Sequence, residues 1–214
     1  MENTYPGCMT DGFTYKESLS MALTKSPCPI PSLPFKLFLA ACVLIASLPA
    51  PTTAQQLNVE SATSIKASFL ADIEVMREKF IGLAEAFPQD TYDWRPMDGV
   101  RSVAEVLMLI ASEGYGFAPT ALGGSAAMSR EESQALAETT DKAQVIDHLN
   151  KGFAYARSEI EEIDPATLVN ARALFGRERS TPELTLFVAG DMHEHLGQLI
   201  AYARMNQIVP PWSR

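Results

Sequence analysis

A carboxylate and an imidazole stand four residues apart in the run Asp191-Met192-His193-Glu194-His195, and no other stretch points as directly to chemistry. On a helix of ~3.6 residues per turn, positions four apart share a face. Val188, Asp191, Met192, His195, Leu199 and Ala203 follow that spacing, so Asp191 and His195 fall inside an apolar stripe. His193 lies about 200° round from His195 and reads as a solvated surface histidine. An inward-facing Asp and His one turn apart are either half of a metal site or an internally satisfied hydrogen-bonded pair.

The helix that carries them begins at Thr181, read as its cap, with Pro182 at its first position and Glu183 in its first turn. Gln207 and Pro210-Pro211 close it. Three further helices are predicted. The first runs from Ser61 to Phe87, with Phe69, Ile73, Met76, Phe80, Leu83 and Phe87 at three-four spacing and Pro88 as its stop. The second starts at a capping box, Ser102 with Glu105, and runs to about Phe117; from Val103 to Ala111 it is apolar almost all round and is the most buried. The third runs from Thr140 or Asp141 to about Ile163, with Val145, Leu149, Phe153, Ala156 and Ile160 on its apolar face. Residues 119–140 read as a long crossover loop with a short helical turn near Arg130–Ala137. Residues 166–180 form another connection, with Phe175-Gly176 as a turn. No segment reads as a strand. The fold class is all-α: a four-helix bundle with a long crossover loop between helices 2 and 3.

Residues 1–54 read differently. Lys36 precedes the apolar run Leu37 to Leu48, too short for the ~20 residues of a bilayer span, and Pro49, Pro51 and Thr52-Thr53-Ala54 follow. This is the layout of a secretory signal cleaved after Ala54, with Met21 as an alternative start. Residues 55–214 are then the folded domain, exported to the periplasm or secreted. Leu39-Ala40-Ala41-Cys42 resembles a lipidation box, but the apolar run continues past Cys42, which favours cleavage at Ala54. Membrane association is expected only if Cys42 is lipidated or the signal is retained. Cys8, Cys28 and Cys42 all precede Ala54, so residues 55–214 have no disulfide, thiolate ligand or cysteine nucleophile. Lys16, Lys25 and Lys36 balance Glu2, Asp11 and Glu17, so the net charge of −9 belongs to the folded part. An acidic domain repels phosphate backbones, which argues against nucleic acid as a partner.

Several motifs occur in order: Ala86-Phe87-Pro88, then Tyr92-Asp93-Trp94-Arg95-Pro96, then Gly99-Val100-Arg101-Ser102-Val103-Ala104-Glu105-Val106-Leu107. The last is His195-Leu196-Gly197-Gln198-Leu199-Ile200-Ala201-Tyr202-Ala203-Arg204 with Pro210-Pro211. Together they resemble the DinB/YfiT-like superfamily, in its small exported branch, over most of residues 60–212. The resemblance implies a four-helix bundle, often a homodimer. In many members a divalent metal sits on three histidines, one from the second helix and two at i, i+4 from the last. Characterised relatives are metal-dependent transferases that use low-molecular-weight thiols, or related isomerases. Here the second-helix histidine falls at Leu109, which binds no metal, and the first of the last pair at Asp191; only His195 matches.

Glu113 lies one turn after Leu109 on the same face. Glu113, Asp191 and His195 would form a two-carboxylate, one-histidine site for a divalent ion such as Zn, Ni or Mn. The alternative requires no cofactor: Asp191 holds His195 in one tautomer, and Glu113 sits in water at the bundle end. Two functions follow. In one, the chain is an exported DinB-like bundle with a degenerate metal site, acting by binding or structural association. In the other, it is a divalent-metal-dependent transferase or hydrolase with a remodelled Glu/Asp/His site. Export fits poorly with a thiol cosubstrate, because reducing thiols are scarce outside the cytosol. No catalytic residue is assigned, and a small-molecule ligand stays open. Among the remaining residues, Trp94 and Trp212 read as packing plugs at the bundle ends. His148 lies off an apolar face. Arg95 and Arg101 either pair with carboxylates or bind an anion. Gly123-Gly124-Ser125 reads as a flexible connector.

Overall fold

The computed structural model describes residues 57–213, which are mostly helical. The expected signal, its cleavage site, Met21 and Cys42 lie outside the described residues.

Helix α1 spans Val59–Ala86, α2 Val103–Tyr115, α3 Phe117–Leu122, α4 Arg130–Leu136, α5 Lys142–Glu162 and α6 Thr181–Met205. The apolar spacing of the long helices becomes one continuous core. Phe69, Ile73, Met76, Phe80 and Leu83 of α1 meet Val145, Leu149, Phe153 and Ile160 of α5 and Leu184, Val188, Leu196 and Leu199 of α6. From Val103 to Ala111, α2 is buried except at Glu105 and Leu109, as its unbroken apolar character demands.

Cross-helix contacts give the directions. Lys66 near the start of α1 donates to the carbonyls of Glu161 and Ile163 at the end of α5, while Lys142 at the start of α5 donates to the carbonyls of Glu85 and Phe87 at the end of α1. These two helices are antiparallel. By contrast α1 and α6 run the same way: Ser64 to Asp72 face Thr185 to Ala189, and Gly82 lies 3.5 Å from Pro211 by its missing Cβ. Neighbouring helices are therefore not uniformly antiparallel. The hydrogen bond from Tyr202 to the Arg101 carbonyl shows α6 ending where α2 begins, so these two are antiparallel.

Glycines let α2 and α5 approach closely. A Cβ on Gly114 would sit 2.7 Å from the Gly152 main chain, and one on Gly152 would sit 2.5 Å from the Ala111 carbonyl oxygen. No larger residue fits at this crossing, which fixes the end of α2 and with it Glu113.

Three local expectations are corrected. Residues 172–179 contain a two-stranded antiparallel hairpin: β1, Arg172–Leu174, pairs with β2, Arg177–Arg179. Its two-residue turn is Phe175-Gly176, with φ of 50° and 73°, both in the left-handed region that tight hairpins require. The strands were hidden because Arg172, Arg177, Glu178 and Arg179 carry no apolar alternation. The cap of α6 is Ser180, not Thr181. Its extended backbone (ψ 159°) lets its N–H and Oγ both donate to Glu183 at 2.7 Å, while Thr181 turns its hydroxyl to the Leu168 carbonyl. The glycine-rich connector is tied down as well: Glu159 accepts from the Ser125 N–H at 2.8 Å.

Candidate metal centre

Glu113 on the last turn of α2 meets Asp191 and His195 in the middle of α6. One ligand-type atom from each lies within 4.8 Å of the other two. The Asp191 Oδ1 to His195 Nε2 distance is 4.0 Å, too long for a hydrogen bond. The side chain of His195 is 13 % exposed and that of Asp191 32 %, so the site is sheltered on the imidazole side and open on the carboxylate side.

Asp191 does not hold the imidazole. His195 Nδ1 lies 3.0 Å from Gln198 Oε1, Gln198 Nε2 donates to the Tyr202 hydroxyl at 2.7 Å, and that hydroxyl donates to the Arg101 carbonyl at 3.0 Å. The direction of each bond follows from the end of the chain. A carbonyl oxygen only accepts, so the Tyr202 O–H points to Arg101 and its oxygen accepts from the Gln198 amide nitrogen. The Gln198 carbonyl is then turned toward His195, where it accepts the Nδ1 proton. In the neutral imidazole this leaves Nε2 with its lone pair, on the side of the carboxylates. The relay is itself anchored. Trp94 packs edge-on against Tyr202 at 5.4 Å between ring centres, and the main chain of Tyr92 and Trp94 accepts from Ala104 and Val103 at the start of α2. Trp94 is thus a plug, as expected. Trp212 is instead half exposed, with Lys79 5.9 Å from its ring centre.

Glu113 is not in water. Its Oε2 and the Oδ2 of Asp191 are both buried and have no hydrogen-bond partner. Burial first, and then the adjacent Asp191 carboxylate, push the Glu113 carboxyl up to about 8, against an opposing pull from the Arg101 guanidinium. Two carboxylates without donors and a free imidazole lone pair are an arrangement that lacks positive charge. A divalent cation or a shared proton supplies it.

The donor set fits a metal. Three ligands about 2.0–2.2 Å from one ion lie roughly 3.0–3.6 Å apart in tetrahedral or octahedral geometry, so atoms now within 4.8 Å of one another must close by on the order of an ångström, within reach of side-chain rotation. Two carboxylates and one imidazole suit Zn or Mn better than a thiophilic ion. Leu109 supplies no ligand; it lines a separate groove with Arg101 and Ser112. His193 stands outside the site, half exposed, with its Nε2 3.2 Å from Asp72. His148 is near Tyr115, ring centres 6.3 Å apart. Gln198 and Tyr202 were missed in the sequence, although their i+3 and i+7 spacing from His195 puts them on its face.

A family model described as the DinB superfamily matches residues 72–199, more than half of the chain and all three site residues. The protein belongs to the DinB superfamily. No curated protein matches it.

Proposed function

We propose that this DinB-superfamily domain is an exported four-helix bundle of α1, α2, α5 and α6, with residues 116–141 as its crossover. Its Glu113–Asp191–His195 constellation is a divalent-metal centre serving a transferase or hydrolase. The observation that carries the reading is the relay Arg101–Tyr202–Gln198–His195, which turns the Nε2 lone pair toward two partnerless carboxylate oxygens. Metal-binding histidines use such a second hydrogen bond to fix tautomer and ring orientation. A divalent ion held there would act as a Lewis acid toward a carbonyl or phosphoryl oxygen. The protein's own contributions are orientation of His195, exclusion of water on the α2 side, and an open edge at Asp191. Export is supported by the signal-like layout of residues 36–54, and it disfavours a thiol cosubstrate.

A second reading has its own support. Leu109 stands where the resemblance places a ligand, and a proton shared by Glu113 and Asp191 would also satisfy the pair. In that case the domain acts by binding rather than catalysis. Elemental analysis after dialysis separates the two. The metal reading expects about one zinc or manganese per chain, lost in Glu113→Gln, Asp191→Asn and His195→Ala. Wild-type protein that takes up no metal from micromolar solutions would favour the proton-sharing reading.

A further inference from the structure

A groove of about 470 Å³ opens between the 95–101 loop, the outer face of α2 and helix α4. Its lining includes Arg95, Arg101, Leu109, Ser112, Gln134 and Ala137. The two arginines are not equivalent. Arg95 is committed, donating to Glu105 at 3.2 Å and to the Val100 carbonyl at 3.2 Å. Glu105 in turn accepts from the Ser102 N–H at 2.6 Å, so the only acid of the groove is fully engaged. Arg101 is exposed and has no ion-pair or hydrogen-bond partner for its guanidinium among the described residues. The groove lining therefore carries two arginines against one glutamate, an excess of one positive charge in a chain of net charge −9, with Arg101 acting on Glu105 and Glu113 only at longer range than an ion pair.

Arg101 is also linked to the metal centre indirectly, by two routes. Its carbonyl is the fixed end of the relay that orients His195. Its guanidinium exerts an electrostatic pull on the Glu113 carboxyl, opposing the effect of burial. Leu109 and Ser112 line the groove one turn and one residue before Glu113. The walls at Val100, Leu109 and Ala137 are apolar, while Ser112, Ser133 and Gln134 add polar groups.

We propose that this groove is a binding site for a small organic anion, its carboxylate or phosphate paired with Arg101 and its apolar body seated against Val100, Leu109 and Ala137. A guanidinium is suited to this, because its planar fork matches carboxylate and phosphate oxygens two at a time. The groove is large enough for a ligand of that class. Naming this anion as the substrate rests on the metal-centre reading; the anion site does not.

The test is calorimetric titration of metal-free protein with phenylacetate, its neutral amide phenylacetamide, 2-phenylethylamine and inorganic phosphate. Phenylacetate should bind saturably and the amide and amine at least tenfold more weakly. Arg101→Gln should lose at least tenfold for phenylacetate, and Arg101→Lys less. The Gln variant keeps the main-chain carbonyl but loses the guanidinium's pull on Glu113, so affinities are compared on metal-free protein, with circular dichroism confirming that the variant is folded. The proposal is overturned by amide or amine binding as tightly as phenylacetate, by unchanged phenylacetate affinity in Arg101→Gln, or by no saturable binding of either anion up to about 10 mM. The metal reading fails separately, on the metal content of the wild type, and neither result decides the other.

Discussion

His195 Nδ1 donates to the side-chain oxygen of Gln198, three residues on, at 3.0 Å. This bond, not one to Asp191, sets which imidazole nitrogen faces the carboxylates. Both residues are on α6, so the arrangement is stored in a single helix and closed off by Tyr202 one turn further.

Gln198→Ala should therefore weaken metal binding without unfolding the protein. Loss of a hydrogen bond behind a metal-binding histidine costs about 10–100-fold in affinity. Competition with a chelator of known affinity measures this. Gln198→Glu, which still accepts the Nδ1 proton, should recover much of the loss. Equal affinity in wild type and Gln198→Ala would show that the relay does not orient His195.

Glu113→Gln should separate binding from folding. The wild-type carboxyl is buried beside Asp191 with one oxygen unpartnered. Without metal, a neutral amide of the same shape removes the charge from that position and should stabilise the fold by about 1–2 kcal/mol at pH 8. With metal, the order reverses: the wild type gains stability from bound ion by mass action and the variant does not. Thermal melts with and without added zinc give both numbers. A variant less stable than wild type without metal would mean that Glu113 has a partner in the folded protein.

The helices were legible because their signals are local. The capping box at Ser102 and Glu105, the stop at Pro88 and the spacing from Phe69 to Phe87 each act within a few residues, and each helix begins or ends where those signals stand. The family followed from the order of such motifs. Asp191 and His195 were legible as a pair because one helix holds both. Glu113 was legible as a candidate but not in its environment, since its burial depends on the close approach of α2 and α5 at Gly114 and Gly152. No spacing within α2 announces that contact. The hairpin was illegible for a related reason: with three-residue strands and exposed arginines, its only sequence signal is the Phe175-Gly176 turn.

Acid should destabilise the fold through its helix starts. Glu105 lies below the usual carboxylate range, first because it accepts from the Ser102 N–H and then because Arg95 is beside it. Glu132 and Glu183 are lowered likewise by Ser129 and Ser180. A carboxyl whose folded value is depressed contributes stability above its unfolded value, about 4.5, and loses it as pH falls through the folded value. Urea midpoints should therefore fall from about pH 4.5 downward. Glu105→Gln should flatten that slope, because its side chain no longer titrates. A slope identical to wild type would remove Glu105 from the account.

Gly152→Ala should damage both the core and the site. The added methyl would stand 2.5 Å from the Ala111 carbonyl oxygen, which is main chain and cannot swing aside. The helices must separate instead, and overpacking of this kind costs about 1–3 kcal/mol. Separation moves the end of α2, and Glu113 with it, away from Asp191 and His195. Metal affinity should fall along with the urea midpoint, although residue 152 touches no ligand. Gly197→Ala is the control: Gly197 is on the same helix as His195 and has open space around it. An alanine there should raise helix stability by up to ~1 kcal/mol and leave metal binding unchanged. If Gly152→Ala lowered stability but kept full metal affinity, the α2–α5 crossing would not be what positions Glu113.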